Sequence, residues 1–313
     1  MELINQVICG DCVQVLAGID SPFADLIFAD PPFNIGYRYH SYKDRLKSDH
    51  YVAWTKEWMA ACKRVLRPHG SFYIAIGDEY AANVKLIADQ LGLVMRNWII
   101  WHYSFGQQLT RKFARAHTHI LYFVNDPRHF VFNDLAIRVP SDRQLIYADK
   151  RANPLGRIPD DVWDGFPRVC GTFKARQRWH PCQMPQRLLE RIIATSSNPG
   201  DCVLDPFLGS GTTAVAARLL GRRFVGIEIC PQYAHRARIR LARLDRQTKG
   251  SGPLDARETM ELGRLIADMA VTVRQLRTDD RLARCVARQL GVRMGRVRDY
   301  TVQEVLDALE GLR

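Results

Sequence analysis

A chain of 313 residues, 47% of them hydrophobic, is long enough for one large α/β domain with an appendage and can bury a sizeable core. Apolar runs such as Leu26-Ile27-Phe28-Ala29 are far too short to span a bilayer, and MELINQVICGD lacks the basic-then-apolar pattern of a signal peptide, so a cytoplasmic protein is expected. A net charge of +12 favours a polyanionic partner, because Lys and Arg neutralise phosphates and release counterions.

The chain opens as strand, turn, helix and strand. Val7-Ile8-Cys9 predicts a short strand ending at Gly10-Asp11, and Val13 to Leu16 a first helical turn. Asp25-Leu26-Ile27-Phe28-Ala29 is an apolar run suited to a buried parallel strand. It stops on Asp30-Pro31-Pro32, where two prolines end any ladder or helix. Helical spacing from Tyr51 to Leu66 closes at Pro68 and Gly70. A strand over Ser71 to Ile76, a helix over Glu79 to Leu91 and a strand over Asn97 to Trp101 continue the alternation. Such a rhythm implies a doubly wound sheet.

From Ser104 to Arg178 the rhythm fails, apart from a strand expected over His119 to Val124. This stretch holds thirteen Lys/Arg against seven Asp/Glu, and long irregular segments in a compact domain are usually functional. The βα alternation resumes with Pro185 to Thr195 (helix), Val203-Leu204 (strand), Thr212 to Leu220 (helix), Phe224 to Ile229 (strand) and Pro231 to Arg246 (helix). Residues 1–249 thus form one domain, 250–253 read as a linker, and 254–313 as a helical, Arg-rich region. Within it, Leu282 to Val292 could open a helix-turn-helix-like unit, while the spacing of Leu282, Val286, Leu290, Val302, Val305, Leu306 and Leu309 favours a small bundle or a dimer interface.

Cys9 and Cys12 form a lone C-x-x-C, with no second pair or His pair to complete a zinc site, so no metal is expected.

Two motifs carry chemistry. Between Val203-Leu204-Asp205 and the helix from Thr212 lies Phe207-x-Gly209-x-Gly211, where glycines allow close backbone approach to a ligand and a helix N-terminus offers free N–H groups. The following strand ends on Glu228, an acid placed to accept hydrogen bonds from ribose hydroxyls. Upstream, Asp30-Pro31-Pro32-Phe33 sits at the carboxyl end of a predicted parallel strand, where open α/β sheets bind ligands. The lone pair of an exocyclic amino group is delocalised into its ring. The Asp30 carboxylate and the Pro31 carbonyl are two acceptors that could take its hydrogens and redirect that lone pair. Phe33 could stack on a base that has left its helix.

In this order the two motifs resemble those of the β group of DNA amino-methyltransferases, over most of residues 5 to 245. The resemblance implies a permuted, mostly parallel methyltransferase sheet and S-adenosylmethionine as cofactor. It implies Asp11 and Cys12 of Gly10-Asp11-Cys12 at the cofactor's adenine end, and Asp30, Asp205, Phe207, Gly209, Gly211, Thr212 and Glu228 around the rest. Trp179-His180-Pro181-Cys182-Gln183-Met184-Pro185 resembles the family's H-P-x-Q-K-P segment, with Met184 in place of the lysine. Residues 104–178 fall where the group carries target recognition, and Tyr147, Trp163, Phe166 and Phe173 are candidate DNA contacts.

The implied activity is methylation of adenine N6 in double-stranded DNA, with cytosine N4 the alternative and a non-catalytic DNA-binding regulator a further one. A homodimer and a cognate restriction enzyme are partners the resemblance suggests. Pro181-Cys182 matches the dipeptide of C5-cytosine enzymes but lies inside the H-P-x-Q segment, so it reads as coincidence.

Overall fold

The computed structural model describes residues 3–37, 44–104, 109–171, 173, 175–244, 254–295 and 300–310. The expected linker at 250–253 lies outside the described residues.

The strands are β1 (Gln6–Cys9), β2 (Ala24–Ala29), β3 (Leu66–Ile76), β4 (Val94–His102), β5 (His117–Val124), β6 (Val162–Trp163), β7 (Cys202–Asp205) and β8 (Arg223–Glu228). They form one sheet in the order β1-β8-β7-β2-β3-β5-β4-β6. Among these strands, only β3 with β5 and β5 with β4 pair antiparallel; the other neighbours are parallel. The expected mostly parallel α/β sheet is present.

Every residue of β2 is buried, and its alternating side chains feed two cores. Leu26 and Phe28 pack under α5 (Gln186–Ser196), α6 (Thr212–Leu219) and α7 (Pro231–Leu244). Ile27 and Ala29 pack under α1 (Cys12–Ala17), α2 (Ser48–Val65) and α3 (Ala81–Gln90). Helices on both faces explain why the strand reads as a continuous apolar run. Its start is pinned by Asp25, which accepts from Cys202 N at 2.8 Å and pairs with His69 at 2.9 Å.

The sheet order reverses between β7 and β2. From β2 the chain crosses through α2 to β3 on one side; from β7 it crosses through α6 to β8 on the other. The carboxyl ends of these two neighbours therefore border a crevice, and Asp30 and Asp205 stand on its two lips.

Four differences from the sequence expectations stand out. β3 begins at Leu66 instead of Ser71, because the stretch with Pro68 and Gly70 bulges out between the Ala24–Leu66 and Leu26–Ser71 pairs. The irregular region holds a short helix, α4 (Asp142–Leu145), and the two-residue β6, which extends the sheet beyond β4. Trp163 and Phe166, expected on the DNA side, are 8% and 1% exposed and belong to the core. Finally, α8 (Ala256–Asp268), α9 (Val273–Thr278), α10 (Asp280–Met294) and α11 (Val302–Glu310) enclose a third core that takes in Val139 of the irregular region.

Candidate active site

Two adjoining cavities meet at Asp30. The first, about 1010 Å³ including its open mouth, is bordered by Asp11, Cys12, Pro32, Asp205, Phe207, Gly209, Thr212 and Glu228. The second, about 1820 Å³, is bordered by Pro31, Phe33, Trp101, Tyr103 and the cations Lys112, Arg115, Arg168 and Arg176. Asp30, Cys182 and Met184 border both. The sequence-predicted residues are thus brought together except Gly211, which borders neither cavity and instead caps α6 against Ala237; Pro31 and Pro32 face opposite chambers.

The glycine-rich loop follows from local backbone demands. Asp205 Oδ1 accepts from Phe207 N at 2.9 Å, and Leu208 N bonds to Ile227 O at 2.9 Å. Gly209 has φ +50°, and a Cβ there would lie 2.7 Å from His180 Nε2. Gly211, φ +79°, caps α6, and its Cβ would meet that of Ala237 at 3.1 Å. Only glycine meets the first of these demands without displacing a buried ring. Phe207 is wedged edge-on against Trp58 and Trp54, with centroids 5.1 and 5.7 Å away.

Glu228 is already engaged. Its Oε2 accepts from Gly209 N and its Oε1 from Cys230 N, both at 2.8 Å. Each oxygen keeps a second lone pair for a hydroxyl donor. Asp11 is the N-cap of α1: its Oδ1 accepts from Val13 N and Gln14 N, a local role the sequence reading did not assign. The Thr212 hydroxyl is within 2.9 Å of both Ser210 Oγ and Arg240 Nη1. Arg240 also donates to Ser210 O at 3.0 Å, tying α7 to the loop.

Burial pushes the Asp30 carboxyl up to about 7, and the nearby Asp205 carboxylate adds to the rise. Asp205 is also raised to about 7, by burial first and by Glu228, against donors from Thr213 and Phe207 N. Glu228 is raised by burial, against its two backbone donors. Three crowded acids with raised proton affinity suit a ligand carrying hydroxyl donors and positive charge. Buried His180 is pushed down to about 4, so its ring is neutral at neutral pH.

The segment after Asp30 is held by residues the sequence reading passed over. Tyr51 donates to Pro32 O at 2.6 Å. Asn34, in the left-handed region at φ +59°, donates to Leu46 O and Tyr80 Oη. Buried Asp44 accepts from the N–H groups of Asn34, Ile35 and Tyr37. The one available signal was the polar Asn34 directly after Phe33.

Cys182, read as a coincidence of sequence, lies at the junction of the two cavities. Cys9 is exposed and Cys12 buried. Asp78, His117 and His119 cluster together, and His117 borders the second cavity. Trp98 donates into His119 Nδ1 at 2.9 Å, so the neutral ring carries its proton on Nε2. Arg115 Nε sits 3.1 Å from Asp78. Both contacts suit a hydrogen-bonded ion cluster and oppose a bound cation.

A family model described as DNA methylase, of the N6/N4 type, matches residues 24–238. The chain belongs to this DNA methylase family. It is 38% identical over 254 residues to type II methyltransferase M.HpaI of Haemophilus parainfluenzae, covering 81% of this chain and 78% of the relative. It is 40% identical over 249 residues to DNA adenine methyltransferase YhdJ of Escherichia coli (strain K12), covering 76% and 82%. TTHA0409 of Thermus thermophilus, solved in complex with S-adenosyl-L-methionine, shares 25% identity at a TM-score of 0.56, covering 77% of this chain and 94% of that one.

This methylase is a DNA amino-methyltransferase, and its cofactor is S-adenosylmethionine. The first cavity fits that cofactor: it is bordered by the glycine-rich loop at Gly209, by acids for the cofactor's hydroxyl and cationic groups, and by the aromatic Phe207.

Proposed function

We propose that the methylase transfers the methyl group of S-adenosylmethionine to the exocyclic N6 of adenine in double-stranded DNA. The observation that carries this reading is Asp30, shared by a cavity bordered by the glycine-rich loop and Glu228 and a larger one lined by aromatic and cationic side chains. When bound, the cofactor supplies an electrophilic methyl group on a sulfonium.

Asp11, Cys12, Asp205, Phe207, Gly209, Thr212 and Glu228 hold the cofactor. Asp30 and the Pro31 carbonyl accept hydrogen bonds from the target amino group, so that its lone pair turns out of the ring plane. Phe33 stacks on the base, which leaves the duplex to enter the second cavity. Holding both reactants in line supplies much of the acceleration. Lys112, Arg168 and Arg176 give the second cavity a field that attracts phosphates, while Arg115 is paired with Asp78 and Glu79. Tyr147 and Phe173, 73% and 45% exposed, remain available to DNA. Adenine is favoured by the Asp at the head of the tetrad, and YhdJ is named an adenine enzyme. M.HpaI, M.BglII and M.ScaI are named type II methyltransferases, which supports a cognate restriction enzyme as partner. A homodimer belongs to the same reading and is checked by light scattering on the purified protein.

Mass spectrometry of modified bases in DNA from cells expressing the chain tests the reading, with Asp30→Ala as control. N6-methyladenine that disappears in the control is expected. N4-methylcytosine in its place overturns the choice of base, and no modified base overturns the proposal.

A further inference from the structure

Five charged side chains are buried where the C-terminal helices meet the rest of the molecule. Arg191 of α5 pairs with Asp268 at the end of α8 at 2.6 Å, and Arg293 near the end of α10 meets the other Asp268 oxygen at 2.7 Å. Glu261 joins Arg293 at 3.2 Å and Arg264 at 2.6 Å. Arg191, Arg264 and Arg293 are 4%, 4% and 0% exposed, and Asp268 is 2% exposed. Dehydrating so many charges is costly, and apolar packing would attach a helical bundle as firmly. What such a network adds is fixed geometry.

That geometry leads to the second cavity. The Arg191 guanidinium lies over the rings of Trp163 and Phe166, 4.9 and 4.6 Å from their centroids. The Phe166 carbonyl accepts from Trp101 Nε1 at 2.7 Å. Trp101 packs edge-on against Tyr103 at 5.2 Å, and both rings line the cavity. From the far side, Arg293 donates to the carbonyls of Arg138 and Ile137, Gln289 to that of Leu155, and Arg281 to those of Gln144 and Ile146. Carbonyls of the irregular region that have no ladder partner are thus satisfied by side chains of α10. A Cβ on Gly165 would lie 1.7 Å from Ala267 O, so this loop rests directly on the end of α8. Neither Arg191, Asp268 nor Arg293 borders the cofactor cavity.

We propose that Arg191, fixed by Asp268 and Arg293, is a positioning residue for the Trp101–Phe166 wall of the target cavity, and that α8 to α11 serve to hold the target-recognition segment in register. The proposal rests on the DNA-methylation reading above. It assigns the C-terminal helices neither an independent DNA-binding nor a dimerisation role.

Arg191→Lys keeps the charge toward Asp268 and removes the flat guanidinium from the two rings. Arg293→Met removes the far end of the network. Transfer of tritiated methyl groups to unmethylated phage DNA gives KM for DNA and kcat; calorimetry gives cofactor affinity; a thermal melt reports folding. In Arg191→Lys, kcat/KM for DNA is expected to fall about tenfold or more while cofactor affinity stays within about twofold. Arg293→Met is expected to move the same parameter in the same direction; should it fail to fold, Arg191→Lys decides alone. An unchanged kcat/KM in Arg191→Lys overturns the proposal, as does a loss of cofactor affinity by the same factor, which marks general loosening. A wild-type protein that methylates no DNA sinks the underlying reading instead.

Discussion

At the scale of single residues, the site is a cluster of acids waiting for charge. Asp30 and Asp205 are each held near 7, where an ordinary carboxyl sits at 3.8. Without cofactor the folded protein therefore binds more protons than the unfolded chain between these values. The resulting stabilisation is complete below the ordinary carboxylate range and is lost as pH rises through 7. A cationic ligand favours the ionised acids, so the sign reverses for binding. Affinity for S-adenosylmethionine is expected to climb with pH up to about 7, approaching about tenfold per unit for each proton released, and then to level off. Calorimetry in buffers of different ionisation enthalpy checks this; proton uptake or a flat profile would contradict it. Gly209→Ala places a methyl group against His180 at a backbone angle costing roughly 1–3 kcal/mol. Cofactor binding should weaken by about tenfold or more. Adding His180→Ala frees the space but not the backbone, so recovery should be partial; full recovery would show that crowding alone sets the demand.

At the scale of elements, β2 and β7 matter because the sheet reverses between them, and the chain leaving β2 is held from three directions. Tyr51 on α2, Tyr80 ahead of α3 and buried Asp44 hold the segment from Pro32 to Tyr37. Asp44→Ala strands three N–H groups, each costing about 1–3 kcal/mol if left unpartnered. The segment should loosen, lowering the single-turnover methylation rate while cofactor affinity is kept. Equal loss of both would place Asp44 in general stability. Most of these elements were legible in the sequence, since β2, α2, α5 and β8 announce themselves by apolar period and by their stops. The start of β3 was not, because Pro68 and Gly70 read as helix terminators although they sit in a bulge. Nor was β6, whose two residues owe their extended form to pairing with β4.

At the scale of the whole molecule, the C-terminal helices pack into one structure with the irregular region between β4 and α5. Leu262, Leu265, Val286 and Leu290 share a core with Val139 of the irregular region. A chain ending before Leu254 would expose that apolar surface and leave Arg191 without its carboxylate. Breaking a buried ion pair from one side costs about 3–5 kcal/mol, a large share of a domain's stability. The truncated chain is expected to aggregate or to melt well below the full-length protein. A soluble fragment with unchanged melting temperature and DNA methylation would show the helices to be dispensable. The buried Asp268 carboxyl would rise on desolvation alone, yet Arg191, Arg293 and Arg264 hold it below the usual carboxylate range. Its contribution is therefore present at neutral pH and is lost only as pH falls through that lowered value.

By itself the sequence determined the βα alternation, the two motifs and their permuted order. These are local properties: hydrophobic period, proline stops, glycines at a turn and an acid at a strand end are written in neighbouring residues. Asp30 and Glu228 could be singled out because each ends a predicted strand, where such folds bind ligands. The tertiary structure decided what depends on distant segments meeting. It turned Asp11 into a helix cap, engaged both oxygens of Glu228, brought Cys182 between the two cavities and buried Trp163 and Phe166 beneath Arg191. It also joined α10 to loop carbonyls more than a hundred residues away in the chain, a pairing that no local pattern encodes because its partners share no period, turn or strand.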